Sequence, residues 1–457
     1  MSKKTTSRRE LLGQAMAGVS ALSLSGRLAA QALRPGRSRR APSGRGANDR
    51  VNVGLIGVGI MGFGHVREFV RRAKEKADVQ IVAVSDIYTR VKERARQHAA
   101  LEEKDVHHDY RDLLAREDID AVIIATPDHW HSRQAIDALE AGKDVYLQKP
   151  MTLEIEEARE VAAAVRRAGR VLQVGSQHIS DLRYHRAREV IEKGWIGAPL
   201  WAQGTYSRNS LHGEWNYRIH EDGAEGNIDW KAFLGPAPKR PFSQDRYFRW
   251  RKYWDYSGGI ATDLLYHKLA PIALALFGAQ QQFPVRVTAQ GGIYVHKDRE
   301  VPDTYSTTIE YEGCYVIMSA SMASAAGNQG FRDIIYGHEA SIQFLPGHIL
   351  IVPERQYRKK FLDSTGQPEL KIEIEKHDIG ERHMDDFLAS VRSRQKPVFD
   401  ADFGYRVMAA IKLGVDSYRQ SKLMAFDPRT EKIIKAAPKR PRYEGHGRNV
   451  EEPKEIG

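Results

Sequence analysis

With 457 residues, 41% of them hydrophobic, the chain is long enough for two domains, and no apolar run beyond residue 30 approaches the roughly 18 residues that a membrane-spanning helix needs. Its formal net charge of +11 falls almost wholly on residues 1–50, which hold eleven Lys or Arg against two Asp or Glu, so the remainder offers no strongly basic surface and a nucleic-acid role is excluded. Cys314 is the only cysteine, which rules out an intramolecular disulfide.

The first segment reads as an export signal. Arg8 and Arg9 precede a weakly apolar run over 11–30, and Ala30-Gln31-Ala32 has the small-x-small form of a signal-peptidase site. Residues 1–32 are therefore expected to be a twin-arginine signal peptide that sends the protein to the periplasm or another exported location. A basic linker rich in Arg, Pro, Gly and Ser follows over 33–50 and is expected to be disordered.

From Val51 the pattern changes to VNVGLIGVGIMGFGH, an apolar strand running into Gly57, Gly59 and Gly62 at G-x-G-x-x-G spacing, with a helical stretch behind it. A second apolar strand, VQIVAVSD, ends on Asp86, 24 residues past Gly62. That context predicts a dinucleotide-binding turn. Gly57 makes the turn, Gly59 lets a pyrophosphate approach the backbone, and Gly62 lets helix and strand pack closely, with Ile60 and Met61 at the helix start. Asp86 is placed to accept from the adenosine ribose hydroxyls and to repel a 2′-phosphate, which favours NAD; Arg90, four residues on, keeps NADP as the alternative cofactor.

Further apolar strands at 120–125, 144–147 and 171–174 alternate with helical stretches at 131–141 and 153–168. Residues 51–175 are accordingly predicted to form an α/β Rossmann domain with a doubly wound parallel sheet. Ligands of such a sheet bind beyond the carboxyl ends of its strands, where Thr126-Pro127-Asp128-His129-Trp130-His131, Gln148-Lys149-Pro150 and Gly175-Ser176-Gln177 all fall. Thr126, Pro127, His131, Gln148 and Lys149 are thus candidates for the cofactor side. His129 and His131, even with His107 and His108, lack a third ligand at a recognisable spacing, so no metal site is expected.

The glycine turn, the ATPDHWH loop after DAVIIA, the GKDVYLQKPMT segment and a later WDYSGGIATDLLYH stretch together resemble the Gfo/Idh/MocA oxidoreductase family, over roughly residues 51–419. The resemblance implies that a large C-terminal α+β domain, built on an open and mostly antiparallel sheet, follows the Rossmann domain. It also implies NAD-dependent hydride transfer on sugars, inositols and related polyols. Where the family commonly has Glu-Lys-Pro, this chain has Gln148-Lys149-Pro150, losing a charge beside the lysine but keeping the lysine.

Oxidation of an alcohol needs a group that accepts the hydroxyl proton. Asp263 and His267 lie four residues apart in a segment that looks helical, which sets them on one face, and the resemblance implies that this face looks into the crevice. His267 is the expected general base, Asp263 the group that orients it or binds a substrate hydroxyl, and Lys149 the cation beside the reacting oxygen. Which of Lys149 and His267 takes the proton is open at this level.

Beyond residue 175 come aromatic-rich stretches at 215–218 and 247–251 that suit a hydroxyl-rich ring, and Arg183, Tyr184, Arg249 and Tyr253 are the substrate-binding candidates. Alternating apolar and polar residues over 286–294, 304–311, 315–322 and 340–344 predict antiparallel strands with one solvated face, a frequent contact between copies, so a homo-oligomer is expected. Helices near 381–394 and 404–420 are expected to return onto the Rossmann half. The second domain is taken as 176–425 and residues 426–457 as a C-terminal tail.

The leading functional reading is an exported NAD-dependent sugar or polyol dehydrogenase. A second is an NAD-dependent glycoside hydrolase that transiently oxidises a ring hydroxyl while the aglycone leaves, and a third is a cofactor-bound sugar sensor without turnover. All three take a small carbohydrate as partner, and none requires nucleic acid or an integral membrane segment in the mature chain.

Overall fold

The computed structural model describes residues 50–435. The segment expected to be a signal peptide, the expected linker up to residue 49 and the chain beyond 435 lie outside the described residues.

Six strands, β1 (Val51–Ile56), β2 (Val79–Ser85), β3 (Val106–His107), β4 (Ala121–Ile124), β5 (Asp144–Gln148) and β6 (Leu172–Gly175), form a parallel sheet in the order β3-β2-β1-β4-β5-β6. Their connections carry α1 (Ile60–Glu75), α2 (Thr89–Ala99), α3 (Tyr110–Leu114), α4 (Asp128–Glu140) and α5 (Ile155–Ala168). Every residue of β4 and β5 is buried, which explains the unbroken apolar runs there: helices cover both faces of a parallel sheet. The strand order reverses between β1 and β4, and that reversal opens the crevice at their carboxyl ends. Helix α4 begins earlier than the expected 131, with Pro127 as its cap, so Asp128, His129 and His131 stand on its first turns and not on a loop.

The second domain opens with α6 (Leu182–Glu192) and β7 (Pro199–Thr205), then a long irregular excursion holding α7 (Trp230–Leu234) and α8 (Gln244–Phe248). A π-helical turn (Ala261–Leu265) leads into α9 (Tyr266–Phe277). There follow β8 (Arg286–Gly292), β9 (Thr304–Glu310), β10 (Tyr315–Ser321), α10 (Gly327–Gly330), β11 (Ile334–Gly337), β12 (Ala340–Leu345), β13 (His348–Pro353), α11 (Arg358–Thr365), β14 (Leu370–Glu373), α12 (Ile379–Ser393), α13 (Ala401–Gln420), β15 (Met424–Asp427) and β16 (Lys432–Ile434). Ten strands make one open sheet, β14-β13-β12-β11-β7-β10-β9-β8-β15-β16, antiparallel throughout except where β7 meets β10.

Burial alternates along these strands as their sequence does. Tyr305, Thr307 and Ile309, then Val316, Met318 and Ala320, turn inward, on a sheet packed by α6, α9 and α13. The other face carries Trp201, stacked on Tyr336 at 3.9 Å and on Tyr315 at 6.0 Å. The sheet runs on past the expected boundary at 425: Phe426, fully buried beside Phe283, anchors β15, and β16 closes a hairpin on it. The MAFD run is too short to read as a strand without that partner.

Helices α12 and α13 do return to the Rossmann half. Met384, Phe387, Leu388 and Val391 of α12 join the core formed by β1, β2 and α1, while α13 packs on α5 as well as beneath β8. The two domains thus share apolar packing.

Candidate active site

The glycine turn is sterically committed. Gly57 has φ +82°, and a Cβ there would lie 2.9 Å from the backbone of Ala125. A Cβ on Gly62 would lie 1.9 Å from the Gly57 carbonyl oxygen, so turn and helix touch only because neither bears a side chain. Gly59, by contrast, faces open space, and Ile60 and Met61 are exposed beside it at the start of α1. Arg94 donates to the carbonyls of Val58 and Gly59, laying a guanidinium next to the turn. Backbone amides at a helix start with a cation alongside fit a pyrophosphate.

At the end of β2, Asp86 Oδ2 accepts from the Val58 amide at 2.8 Å and Oδ1 from the Tyr88 amide at 3.0 Å. Burial pushes its pKa up, and the amides of Val58, Tyr88 and Ile87 pull against that. Held by these two amides, the carboxylate lines a cleft of about 1510 Å³. The same cleft takes in Gly57, Gly59, Ile60, Met61, Thr126, Pro127, Gln148 and Lys149, so these expected cofactor residues meet in one cavity, with Gly62 packed just behind it.

Its far wall comes from the excursion between β7 and the π turn. Ile228 bridges to Tyr88, the Asp229 amide donates to Ile87 O at 3.1 Å, and the Thr89 amide donates to Asn227 O at 3.2 Å. Tyr88 Oη donates to Asp222 at 2.7 Å, Arg90 reaches the same carboxylate at 3.3 Å, and the Tyr88 ring meets Tyr247 and Phe248 edge to face. Residues 209–257 therefore form a strap over the end of the cleft where Asp86 stands.

At the opposite end the domains contribute to one charged cluster. Lys149 Nζ lies 2.5 Å from Asp263 Oδ1 and 2.9 Å from the Asp263 carbonyl. Arg251 Nε donates to the same Oδ1 at 3.1 Å, and Trp215 Nε1 to Oδ2 at 3.2 Å. Trp215 adopts a left-handed backbone, φ +66°, the kind of strain that tends to accompany a positioned functional side chain. Burial alone would raise the pKa of Asp263, but Lys149 and Arg251 overcome it and hold the carboxyl far below the usual carboxylate range.

His267 Nδ1 sits 2.9 Å from Ser176 Oγ, and its ring lies 4.9 Å from that of His178. Burial, followed by the charge of Lys149 and the neighbouring His178, drives its pKa well below the ordinary value, so the ring is neutral. Asp128, 2% exposed and on the cleft wall, has its carboxyl pushed up to about 7 by burial, despite the pull of Arg251 and Lys149.

Several expected roles change. Asp263 does not orient His267: the π turn breaks the regular spacing, Asp263 binds Lys149, and Ser176 holds the imidazole. His131 is 1% exposed and spans the carbonyls of Pro150 and Thr126, tying two cleft loops together without lining the cleft; a neutral ring donates to only one of them at a time. Thr126 donates to Gln134. Gln148 donates to His65 Nε2 at 2.7 Å, and burial lowers His65 to about 4, so an amide suits a neutral imidazole where a carboxylate would force a charge.

All four substrate candidates leave the site. Tyr184 is bonded to Asp333 and stacked on Phe344 under the sheet, and Arg183 pairs with Asp181. Arg249 and Tyr253 both bind Asp245, on the side of the strap away from the cleft lining. The residues that do line the reacting end are Asp128, Tyr217, Trp250 and Arg251. Asp128 was legible as a buried acid only once it lay on a helix; Arg251 stood two places from the wrong candidate. Among the described residues there is no group of three or more His, Cys, Asp or Glu arranged to hold a metal, and no helix is long and apolar enough to cross a membrane.

Comparison with known proteins fits this geometry. The sequence profile described as "Oxidoreductase family, NAD-binding Rossmann fold" matches residues 51–176, and "Oxidoreductase family, C-terminal alpha/beta domain", the second domain of the same Gfo/Idh/MocA family, matches 182–440. The chain is 32% identical over 157 residues to inositol 2-dehydrogenase of Salmonella agona, covering 34% of this chain and 46% of that protein. It is 34% identical over 180 residues to a glycosyl hydrolase family 109 protein of Shewanella baltica, covering 38% of this chain and 36% of that one. The matches thus span less than half the length of these curated relatives. Levoglucosan dehydrogenase in complex with NADH and levoglucosan has the same fold, with a TM-score of 0.62 at 21% identity over 82% of this chain and 99% of its own.

Proposed function

Because the chain belongs to the Gfo/Idh/MocA family of oxidoreductases, we propose that it holds NAD in the cleft between its domains and transfers a hydride between that cofactor and a hydroxyl of a sugar or polyol. The observation that carries this reading is the ion pair of Lys149, which lines the same cleft as the glycine turn, with Asp263 of the other domain, close enough to His267 for the lysine's charge to act on its ring. NAD, when bound, supplies the hydride acceptor. Lys149, anchored by Asp263, presents its ammonium to the substrate oxygen and stabilises negative charge as it develops. With Ser176 Oγ accepting from Nδ1–H, His267 keeps its Nε2 lone pair for the hydroxyl proton. Asp86, with the Tyr88–Asp222–Arg90 contacts beside it, favours a free ribose 2′-hydroxyl over a 2′-phosphate.

The strap supports a second reading, a glycoside hydrolase in which the cofactor stays bound and ends each cycle as it began, in line with the similarity to the Shewanella baltica protein. One experiment separates them. Purified protein is offered free sugars, polyols and aryl glycosides while nicotinamide absorbance and aglycone release are followed. Net reduction identifies a dehydrogenase; aglycone release without net reduction identifies the hydrolase; neither, with sugar binding intact, leaves a sensor.

Two further proposals concern where and as what it works. Arg8 and Arg9 head a twin-arginine signal, so changing both to Lys should leave uncleaved protein in the cytoplasm. The aromatic face around Trp201, Tyr315 and Tyr336 pairs with a second copy, and Trp201→Glu should lower the mass seen by sedimentation.

A further inference from the structure

We infer that the substrate carries an anionic group, a carboxylate or a phosphate, which the guanidinium of Arg251 receives beside the reacting hydroxyl. This rests on the oxidoreductase reading above and narrows its substrate class.

Arg251 lies in the turn Trp250–Lys252 that follows α8, and it lines the cleft together with Lys149, Tyr217 and Asp128. Its Nε is committed to Asp263, and its plane rests on the Trp250 ring at 4.2 Å. The two terminal Nη groups make no hydrogen bond to protein among the described residues, although the side chain is only 20% exposed. An arginine fork fixed at one nitrogen and open at the other two is aimed at a planar acceptor.

The local charges point the same way. Lys149 and Arg251 share a single ionised carboxylate, that of Asp263, which also accepts from Trp215. Arg208, which also feels the charge of Asp263 but does not line the cleft, has Glu214 within 3.8 Å. The remaining acid facing Arg251 is Asp128, whose carboxyl burial pushes up to about 7, so up to neutrality it is at best a partial counter-charge. On the reading above Lys149 faces the oxygen that becomes negative during oxidation, and with Asp263 shared between the two cations one positive charge stays only partly compensated at the open Arg251 nitrogens, where a neutral hydroxyl compensates it poorly and an anion well.

The test uses full-length protein saturated with NAD and needs four probes: D-glucuronate, its methyl ester, D-glucose 6-phosphate and D-glucose. Binding is measured by calorimetry and hydride transfer by nicotinamide absorbance. In the native protein at least one anion should bind about 10- to 100-fold more tightly than its neutral counterpart, the range expected for a charge-assisted hydrogen-bonded pair, and the two charged arms decide between carboxylate and phosphate. Arg251→Gln should compress that preference to within about threefold, with NAD affinity and melting temperature reporting on folding, and Arg251→Lys should retain part of it. Equal binding of charged and neutral probes by the native protein overturns the inference without any variant, as does a preference that survives Arg251→Gln. If neutral sugars still reduce the cofactor in that case, the oxidoreductase reading stands; if no sugar of either class is oxidised or released from a glycoside, that reading fails first.

Discussion

Lys149 and Asp263 belong to different domains yet share an ion pair at 2.5 Å, with side chains only 7% and 10% exposed. The Lys149 ammonium also donates to the backbone carbonyl of Asp263, so it is held from two directions before any substrate arrives. Such a pair contributes little to net stability once desolvation is counted, but removing one member leaves the other buried and uncompensated. Its value lies in fixing the cation across the domain interface.

Lys149→Met should therefore slow the hydride step by about 10² to 10⁴, as should His267→Asn, while both proteins still bind NAD. If the two residues act on one proton, the double variant should lose much less than the product of the single losses. Single-turnover absorbance on all four proteins checks this, and a near-native rate in either single variant removes that residue from the mechanism.

Asp128 should show itself in pH dependence. With a carboxyl that ionises near pH 7 instead of near 3.8, the native state holds a proton over that interval which the unfolded chain has released. Its contribution to stability is full below about pH 4 and declines as pH rises through about 7. Asp128→Asn should thus gain stability relative to wild type at pH 8, and should erase any break near pH 7 in the kcat/KM profile. An unchanged profile would show that the group does not titrate next to the reacting centre.

Acid should act in the opposite sense through imidazoles. Burial lowers His65, His129, His178 and His383 to about 4, and His267 also falls well below its ordinary value. Each contributes stability that is complete above the unfolded pKa of 6.5 and is lost as pH falls toward its own lowered value, at up to about 1.4 kcal/mol per pH unit. Urea unfolding at pH 7.5 and 5.5 should show a loss of several kcal/mol; a flat response would mean these rings find protonated partners in the fold.

For the cofactor, Asp86→Ser should weaken NAD by about 1 to 2 kcal/mol and improve NADP relative to it. Asp222→Ala, which frees Arg90, should shift the same ratio in the same direction. Fluorescence titration with both dinucleotides reads this directly, and a native preference for NADP would contradict the placement of Asp86.

How far these features were visible in the bare chain depended on whether the signal was local. The glycine turn, Asp86 and the parallel strands announce themselves because a tight turn and a doubly buried strand restrict residues at fixed short spacing. Family motifs pointed to Lys149, Asp263 and His267, which the fold brings near one another, but their partnerships were not readable: a single π turn reassigns Asp263 from the imidazole to the lysine. Arg251 and Arg249 look equivalent in FRWR, and only the turn at Trp250–Lys252 sends one to the cleft and the other to Asp245. Likewise β15 and β16 are too brief to stand out until β8 offers an edge to β15 and β15 one to β16.

The strap over the Asp86 end of the cleft also orders events in time. The Rossmann strands lie in residues 51–175 and the strap in 209–257, so a ribosome makes the glycine turn and Asp86 before the cover, although the packing of α12 on that core comes later still. A cofactor present during synthesis is roofed over as the chain lengthens. The Tyr88–Asp222 and Ile87–Asp229 links then join cover and seat in the finished protein. On the function and export proposed above, a dinucleotide seated that early is one drawn from the compartment where the chain is made.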